Sequence, residues 1–275
     1  MNNKNIIFLI ILLYNNILLG MDNQMPEQSW SLHKTFEYNH QINSMCINPG
    51  ETLLGIASSN KQTCITDLQS GNKIASFNSN HEITSTCFDH SGEKFATLSN
   101  KPEVRIFNTQ THKEIELFSP KRTVFSIFFD DDNNILGTEL QNTQIRITHL
   151  KTDKKIKSFN HNSWVFIAAI SASKNLLATG AGNNKARLFD IQQQKALTAF
   201  ELTNPVSALA FDLLEKSLAV ASYDNKVHIF DLTTHNKITT LDHDKPIFSM
   251  CFGPSGNILA TGSSDGKICI FKNYT

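Results

Sequence analysis

The pentapeptide Gly262–Gly266 reads Gly-Ser-Ser-Asp-Gly and has the spacing of the G-x-S-x-G motif that carries a nucleophilic serine in some hydrolases. That chemistry requires the serine to stand on a sharp turn between a strand and a helix, beside an oxyanion hole. Here the pentapeptide lies between two short β-like runs, and Ala221–Asn225 repeats it 41 residues earlier without the glycines. The segment is therefore predicted to be a turn between strands and not a catalytic elbow.

The sequence also lacks the common metal-binding and phosphate-binding motifs. Asp130–Asn133 lacks the spacing and terminal glutamate of a calcium-binding EF-hand loop, and its place in the sequence predicts a solvated turn. The ten histidines form no H-E-x-x-H pattern, the five cysteines form no C-x-x-C pair, and no glycine-rich phosphate loop occurs. We therefore expect no cofactor, no metal and no enzymatic activity.

A repeat of 41 residues organises the chain and explains most of these residues. Three columns recur at this interval without a gap. They are Phe36, Phe77, Phe118, Phe159, Phe200 and Leu241; Asp67, Asn108, His149, Asp190, Asp231 and Lys272; and Ile47, Phe88, Phe129, Ile170, Phe211 and Phe252. A further column contains Phe107, Phe189, Phe230 and Phe271. These phenylalanines are predicted to fill the same space in every copy.

The cysteines follow the repeat as well. Cys46, Cys87 and Cys251 share one column, and Cys64 and Cys269 share another. They are predicted to be small packing residues at strand positions. A disulfide remains an alternative if the protein is exported.

Each copy contains four short β-like runs bounded by Gly, Pro, Asn and Asp. Near the C-terminus they are Lys237–Leu241, Ile247–Phe252, Asn257–Ser263 and Ile268–Phe271. The chain stops after a third run, whereas Ser31–Phe36 at the other end is a lone fourth run in register with the repeat. The N-terminal strand is therefore predicted to complete the last sheet, which closes the array into a ring and removes two exposed sheet edges.

From residue 30 to residue 275 the repeat resembles the WD-repeat family of β-propellers. Asp265–Lys272, Asp224–Asp231 and Asn183–Asp190 are similar to the family's D-G-T-V-R-L-W-D strand. Together with the six copies of the repeat and the lone N-terminal run, the resemblance implies an all-β, six-bladed β-propeller with four antiparallel strands per blade, closed by the N-terminal strand joining the last blade. The family more often has seven blades.

The resemblance also implies a structural role for several polar residues of the repeat. His161 and His243 stand where the family has the histidine of its Gly-His pair. No copy has the family's tryptophan, since four carry phenylalanine and two carry Thr66 and Thr148. The family's Asp–His–Ser/Thr–Trp hydrogen-bond network is therefore incomplete in every copy. The residues assigned to the structural repeat are His161, His243, Asp224 and Asp265.

Loops are the remaining candidates for function. In a propeller, the fourth-to-first and second-to-third strand loops share one face around the central channel. The residues placed there as candidate partner-binding groups are Trp164, Lys121, Arg122, Tyr223 and Lys245. Trp164 stands out because the other copies have Gln, Glu, Thr or Pro at its position, and Trp, Tyr and Arg dominate interface energetics. The alternative is that Trp164 plugs the channel or packs on its own loop.

Charge and composition narrow the class of partner. Twenty-five basic and twenty-five acidic residues cancel, so we expect no broad nucleic-acid binding. The sequence predicts a non-catalytic scaffold that presents its loop face to a protein or peptide partner. The alternative is a propeller enzyme or small-ligand binder that uses the central channel, which would need convergent acids, bases or metal ligands there.

The first twenty residues differ from the rest of the chain. Lys4 precedes the apolar run Ile6–Leu13, and a small residue follows at Gly20. This pattern predicts a secretory signal peptide over residues 1–20, followed by a linker over 21–29. The apolar run is too short for a membrane span, so none is expected in the mature chain. The predicted protein is exported (secreted or periplasmic), or cytoplasmic if translation starts at Met21.

Overall fold

The structure is a computed structural model, and it describes residues 29–274 except 131, 142–143, 161–162, 172 and 174, with the backbone alone at 140 and 141. The predicted signal peptide (1–20), all of the predicted linker 21–29 but its last residue, and His161 lie outside the described residues. Within the described ranges, no helix has the length and apolar character that crossing a bilayer requires.

Twenty-four β-strands make up the described part of the chain. Short runs rich in β-branched and aromatic residues form them, and turn-forming residues separate them. In chain order they are β1 (Trp30–Glu37), β2 (Ile42–Ile47), β3 (Leu53–Ser58), β4 (Gln62–Asp67), β5 (Lys73–Asn78), β6 (Ile83–Phe88), β7 (Lys94–Ser99), β8 (Val104–Asn108), β9 (Glu114–Phe118), β10 (Ser126–Phe129), β11 (Ile135–Gln141), β12 (Gln144–His149), β13 (Lys154–Asn160), β14 (Val165–Ile170), β15 (Leu176–Ala181), β16 (Lys185–Asp190), β17 (Lys195–Glu201), β18 (Val206–Phe211), β19 (Ser217–Ser222), β20 (Lys226–Asp231), β21 (Lys237–Asp242), β22 (Ile247–Phe252), β23 (Ile258–Ser263) and β24 (Lys267–Asn273).

The strands form six antiparallel four-stranded sheets, the blades. Blades 1 to 5 are β2–β5, β6–β9, β10–β13, β14–β17 and β18–β21, and blade 6 consists of β22, β23, β24 and β1. The first strand of each blade is the innermost, and these six strands surround a central channel. The predicted six-bladed propeller is confirmed.

The ring closes through the two ends of the chain. β1 pairs antiparallel with β24, so that Trp30 lies opposite Asn273 and Phe36 lies opposite Ile268. Just beyond the strand, the Tyr38 N–H donates a hydrogen bond of 2.8 Å to the Gly266 carbonyl. Blade 6 therefore obtains its outermost strand from the N-terminal side of the propeller, as the repeat predicts, and no blade in the described chain is left with three strands.

The repeated phenylalanines hold neighbouring blades together. The Phe77 ring, on the outermost strand of blade 1, lies 4.0 Å between centroids from Phe107 on the third strand of blade 2. Phe200 of blade 4 and Phe230 of blade 5 are 4.3 Å apart in the same way. Because each aromatic pair spans two blades, the 41-residue recurrence of phenylalanine records the packing between blades.

Blade 3 departs from the repeat by one residue. In blade 4 Ile170 pairs with Leu177, whereas in blade 3 the equivalent Phe129 pairs with Ile135. The turn in blade 3 is shorter, because its closing backbone hydrogen bond spans four residues where the other blades span five. β11 is therefore displaced by one residue against both neighbouring strands, which moves its side chains to the opposite faces of the blade. The six copies, expected to be equivalent, are not.

The displacement changes the packing around Gly137. This glycine faces Thr148 across the strand pair, where blade 4 has a leucine facing a phenylalanine. The side chains of Leu150 and Val124 occupy the vacated volume, since a Cβ added at Gly137 would lie 2.6 Å and 2.7 Å from them. The volume left by the small residues Gly137 and Thr148 is thus filled by Leu150 and Val124, which lie just outside the strands.

The same displacement buries the carboxylate of Glu139. Its side chain is 2% exposed, and its Oε1 accepts a hydrogen bond of 3.0 Å from the Thr148 hydroxyl. Its Oε2 lies 3.8 Å from the Arg146 Nη1 and has no hydrogen-bond partner among the described residues. Blade 4 has Thr179 at this position, opposite Arg187, so the buried acid is particular to blade 3.

Candidate binding site at the channel mouth

The central channel contains a cavity of about 340 Å³ walled by all six innermost strands. One position of the repeat, at the end where the fourth-to-first loop enters each blade, contributes to this wall in five of the six blades. The five residues are Asn43, Thr84, Phe125, Phe166 and Phe248, and blade 5 has Ser207 at the same position. The cavity is therefore polar beside blades 1 and 2 and aromatic beside blades 3, 4 and 6.

The three phenylalanines of this position are wholly or partly exposed, unlike those that pack between blades. Phe125 is 43% exposed and Phe166 is 55% exposed, and Phe248 is half-buried. All three line the same cavity. Sequence reasoning missed them because it grouped phenylalanine by the columns with most members, although their spacing of 41 and 82 residues was a readable signal. We call this cavity, with its three phenylalanines, the channel mouth.

Two of the predicted recognition residues stand beside the channel mouth. Trp164 is 62% exposed and directly precedes β14, and its carbonyl accepts a hydrogen bond of 3.1 Å from the Gly182 N–H. Gly182 leaves room for the Phe166 ring, since a Cβ at this position would lie 2.9 Å from it. Tyr223 is 50% exposed and meets Phe248 edge to face at 5.9 Å. The loop before β14 and the second-to-third strand turn of blade 5 thus place Trp164 and Tyr223 on the face that carries the channel mouth, and we call these exposed rings together with the channel mouth the aromatic surface.

The three predicted basic residues are placed differently. Lys121 and Lys245 are exposed in fourth-to-first strand loops. Arg122 lies in the same loop as Lys121, but its Nε is 3.3 Å from the Asp153 Oδ1, in the turn between the two outer strands of blade 3. The ion pair directs Arg122 toward the outside of the blade and away from the aromatic surface.

A small polar network occupies the opposite side of the mouth. The Asn43 amide donates a hydrogen bond of 2.9 Å to the Glu82 carboxylate and one of 3.1 Å to the Ile83 carbonyl. The Gln41 amide in turn donates to the Asn43 Oδ1 at 3.1 Å. The Glu82 carboxylate, which contacts the cavity wall through Asn43, is therefore already hydrogen-bonded.

The predicted structural residues lie in the turns of blades 5 and 6. The Ser222 hydroxyl donates to Asp224 at 2.5 Å, and the Ser263 hydroxyl donates to Asp265 in the same way. Each aspartate also accepts the backbone N–H two residues later, which fixes the turn. Burial raises the pKa of Asp224, and the bonds from Ser222 and from the backbone outweigh this and lower it.

His243 packs on the phenylalanine that replaces the family's tryptophan. Its ring meets Phe271 edge to face at 5.4 Å, and its Nε2 is buried without a hydrogen-bond partner among the described residues. Burial lowers the pKa of His243 to about 4, against the attraction of Asp244 and Asp242. The ring is therefore neutral at pH 7 and acts as a packing group.

The segments that resembled catalytic or metal-binding motifs form turns between strands. Ser264, the central serine of Gly262–Gly266, lies between β23 and β24, and a strand follows it where the nucleophile motif requires a helix. Asp130 is buried, unlike the solvated turn predicted, because its carboxylate accepts the Asp132 and Asn134 N–H groups at 3.0 Å and 2.8 Å. Across the residues described, no cluster of His, Cys, Asp and Glu could hold a metal ion.

The cysteines are all free thiols in the described structure. Burial raises the pKa of Cys46 to about 12 and raises that of Cys87 well above its usual value, and both residues belong to innermost strands. A buried, protonated thiol is a poor nucleophile. These residues behave as packing groups.

Two family models match parts of the chain. The WD domain, G-beta repeat, matches residues 235–272, and the anaphase-promoting complex subunit 4 WD40 domain matches residues 168–247. A search of curated proteins gives no match. Among solved structures, the β-propeller domain of Cps50 (Swd1) from Myceliophteria thermophila is similar, with a TM-score of 0.75 and 13% identity, over 89% of this chain and 99% of that one. At this identity the likeness concerns the fold.

Proposed function

Since the chain belongs to the WD-repeat β-propellers, we propose that it is a non-catalytic scaffold that binds a protein or peptide partner at the channel mouth. Propellers of this family commonly mediate protein interactions. The observation that carries the proposal is the exposed aromatic surface formed by the channel mouth with Trp164 and Tyr223. Exposed aromatic groups collected on one face are typical of protein interaction sites.

The energetics favour a partner over solvent at this surface. Burying apolar area contributes about 25 cal/mol per Å², so covering several half-exposed aromatic rings together supplies several kcal/mol. Trp and Tyr add little conformational entropy cost, because only two side-chain torsions are fixed on binding. The rigid blades below keep these rings in place in the free protein, which lowers the cost of association.

The competing function, catalysis or small-ligand chemistry in the channel, finds no support in the cavity. Its wall consists of Phe, Ile, Leu, Met, Ala, Ser, Thr and Asn side chains. None of these offers an acid, a base or a strong metal ligand, and such groups are what either chemistry needs.

Substitution of Trp164 by alanine tests the proposal. We expect binding to weaken by about 2 kcal/mol or more, as for a central aromatic anchor, while stability changes by less than about 0.5 kcal/mol. The measurement is copurification from the native cell followed by titration of the recovered partner against both proteins. Tyr274→Ala, which removes an aromatic ring of similar exposure beyond β24, is the matched control. If Trp164→Ala unfolds the protein and leaves the binding constant of the folded fraction unchanged, Trp164 is a structural plug and the proposal fails.

A further inference from the structure

Among the described residues, those that line the channel mouth include no charged side chain. Its lining comprises apolar, hydroxyl and amide groups only, and the nearby Glu82 is already bonded to Asn43. A charged side chain entering such a cavity would lose its hydration without gaining an ion pair. An apolar side chain would meet Phe125, Phe166 and Phe248 and lose no hydrogen bond. The cavity therefore discriminates by charge against Lys, Arg, Asp and Glu.

Serine hydroxyls on one side of the ring accept hydrogen bonds from the innermost strand of the neighbouring blade. The Met45 N–H of blade 1 donates to the Ser249 hydroxyl of blade 6 at 2.7 Å, and the Thr86 N–H of blade 2 donates to Ser44 of blade 1 at 2.9 Å. Blade 3 is tied to blade 2 by the equivalent bond at 3.1 Å. Three junctions in succession thus have the same cross-blade hydrogen bond.

The junction between blades 3 and 4 differs. Ser126 occupies the equivalent position of blade 3, but its hydroxyl forms a hydrogen bond of 2.6 Å with the Thr138 hydroxyl of its own blade. Blades 4 and 5 carry Ile167 and Ala208 at this position and have no hydroxyl to offer. β10 and β14 also approach each other less closely than any other neighbouring pair of innermost strands. The channel wall is therefore most open between blades 3 and 4.

The two most exposed phenylalanines flank this open junction. Phe125 belongs to blade 3 and Phe166 to blade 4, and both line the cavity. Aromatic rings on two sides of a gap can contact an inserted group through face and edge. The opposite wall offers the Asn43 Oδ1 and the Thr84 Oγ1 as acceptors for a peptide N–H, since the protons of both groups are already donated within the protein.

Building on the proposed function, we infer that the partner presents an uncharged peptide segment and inserts one bulky aliphatic or aromatic side chain of it between Phe125 and Phe166. The uncharged wall excludes a charged residue at the inserted position. The polar side of the mouth bonds the segment's backbone. Trp164 and Tyr223 cover the flanking residues of the segment from the rim.

The test is selection of a displayed random-peptide library on the full-length protein, with retitration of enriched peptides as synthetic, end-blocked peptides. The variants Phe125→Thr and Phe166→Ser introduce residues that blades 2 and 5 carry at the same repeat position, so the blades tolerate them. Ile115→Thr, which removes comparable exposed apolar area on the outermost strand of blade 2, is the control. Each enriched peptide is also made with its fixed residue changed to Lys and to Glu.

The inference predicts that enriched peptides share one bulky uncharged residue. Its change to Lys or Glu, or either phenylalanine substitution, weakens binding at least about tenfold, and Ile115→Thr leaves binding unchanged. Peptides that share a fixed Lys, Arg, Asp or Glu would overturn the inference and leave the proposed function standing. So would peptides that respond to Trp164→Ala but not to Phe125→Thr or Phe166→Ser. A library from which nothing is enriched would overturn the inference together with the proposed function.

Discussion

Replacing Phe200 by alanine is expected to destabilise the propeller by about 3–5 kcal/mol. Phe200 is 4% exposed on the outermost strand of blade 4, and its ring stacks on Phe230 of blade 5 at 4.3 Å. It also meets His235, in the turn after β20, at 6.3 Å. The loss combines the transfer of a whole benzyl group with a cavity that the rigid β-strands on either side cannot close.

Part of that loss belongs to the aromatic pair and can be measured separately. A double-mutant cycle with Phe230→Ala should give a coupling of about 0.5–1.5 kcal/mol, the usual worth of an aromatic pair beyond buried area. The assay is urea unfolding followed by circular dichroism, with the slope of free energy against denaturant compared between variants. Leu197→Ala, on the same strand but 44% exposed, is the control and should change stability by less than about 1 kcal/mol.

A loss below about 1 kcal/mol for Phe200→Ala would refute the reasoning, because the phenylalanine column would then not be an inter-blade core. Zero coupling with Phe230 would be as damaging, since the two rings belong to different blades. The two rings would then make no energetically significant contact between blades 4 and 5.

Two further outcomes concern buried polar groups. The pKa of His243 is about 4 in the folded protein, below its usual value near 6.5, so the unfolded chain gains the proton first as pH falls. The stability that this group contributes is present above pH 6.5 and is lost as pH falls toward 4, by about 1–2 kcal/mol after allowing for partial exposure. His243→Leu introduces the residue type found at the equivalent repeat position, Leu202. This variant should lose the pH dependence in urea unfolding measured at several pH values. Glu139→Thr gives blade 3 the residue found opposite Arg187 in blade 4, and because the buried Oε2 has no hydrogen bond, the variant should be as stable as wild type within about 1 kcal/mol or more stable. A loss above about 3 kcal/mol in urea unfolding would mean that the Glu139–Arg146 pair stabilises the blade.

The repeat made most of the fold predictable because it records contacts that occur once per blade. The predicted run Ile247–Phe252 matches β22, and the run predicted as Lys237–Leu241 ends one residue later in β21. Ring closure was predictable for the same reason, since the unpaired run at the N-terminus stands in register with the other fourth strands. Columns of equal spacing identify positions that face the same neighbour in every copy.

The displacement of β11 could not be read from spacing. The turn after Phe129 is one residue shorter, and β11 extends one residue further than β15 at its other end, to Gln141, so the columns on both sides keep their interval. Two opposite changes of one residue cancel in the sequence. The strand pairings reveal them, since Phe129 lies opposite Ile135 and Gly137 lies opposite Thr148.

The candidate site was predictable in part. The uniqueness of Trp164 among six equivalent positions drew attention to the face that carries the aromatic surface. The exposure of Phe166 was not readable, because strands inside a propeller are apolar on both faces and alternation no longer separates buried from exposed residues. The ion pair of Arg122 depends on the path of a loop, which the repeat does not encode.

Closure of the ring by β1 is the central claim, and a single cysteine tests it. Thr35 lies directly opposite Cys269 in the register of β1 and β24, with its Oγ1 4.0 Å from the thiol sulfur. Thr35→Cys should therefore form a disulfide with Cys269 under a mild oxidant, because directly opposed strand residues are within the distance a disulfide bridges. Lys34→Cys points to the other face of the strand and should not.

Mass spectrometry of the digested, oxidised protein gives the result. For Thr35→Cys, the account predicts that the main product is a peptide pair linked between positions 35 and 269. For Lys34→Cys, it predicts no peptide pair linked between positions 34 and 269. Equal, low linkage in both variants, or linkage of residue 35 to any other cysteine, would contradict closure of the propeller through its chain ends.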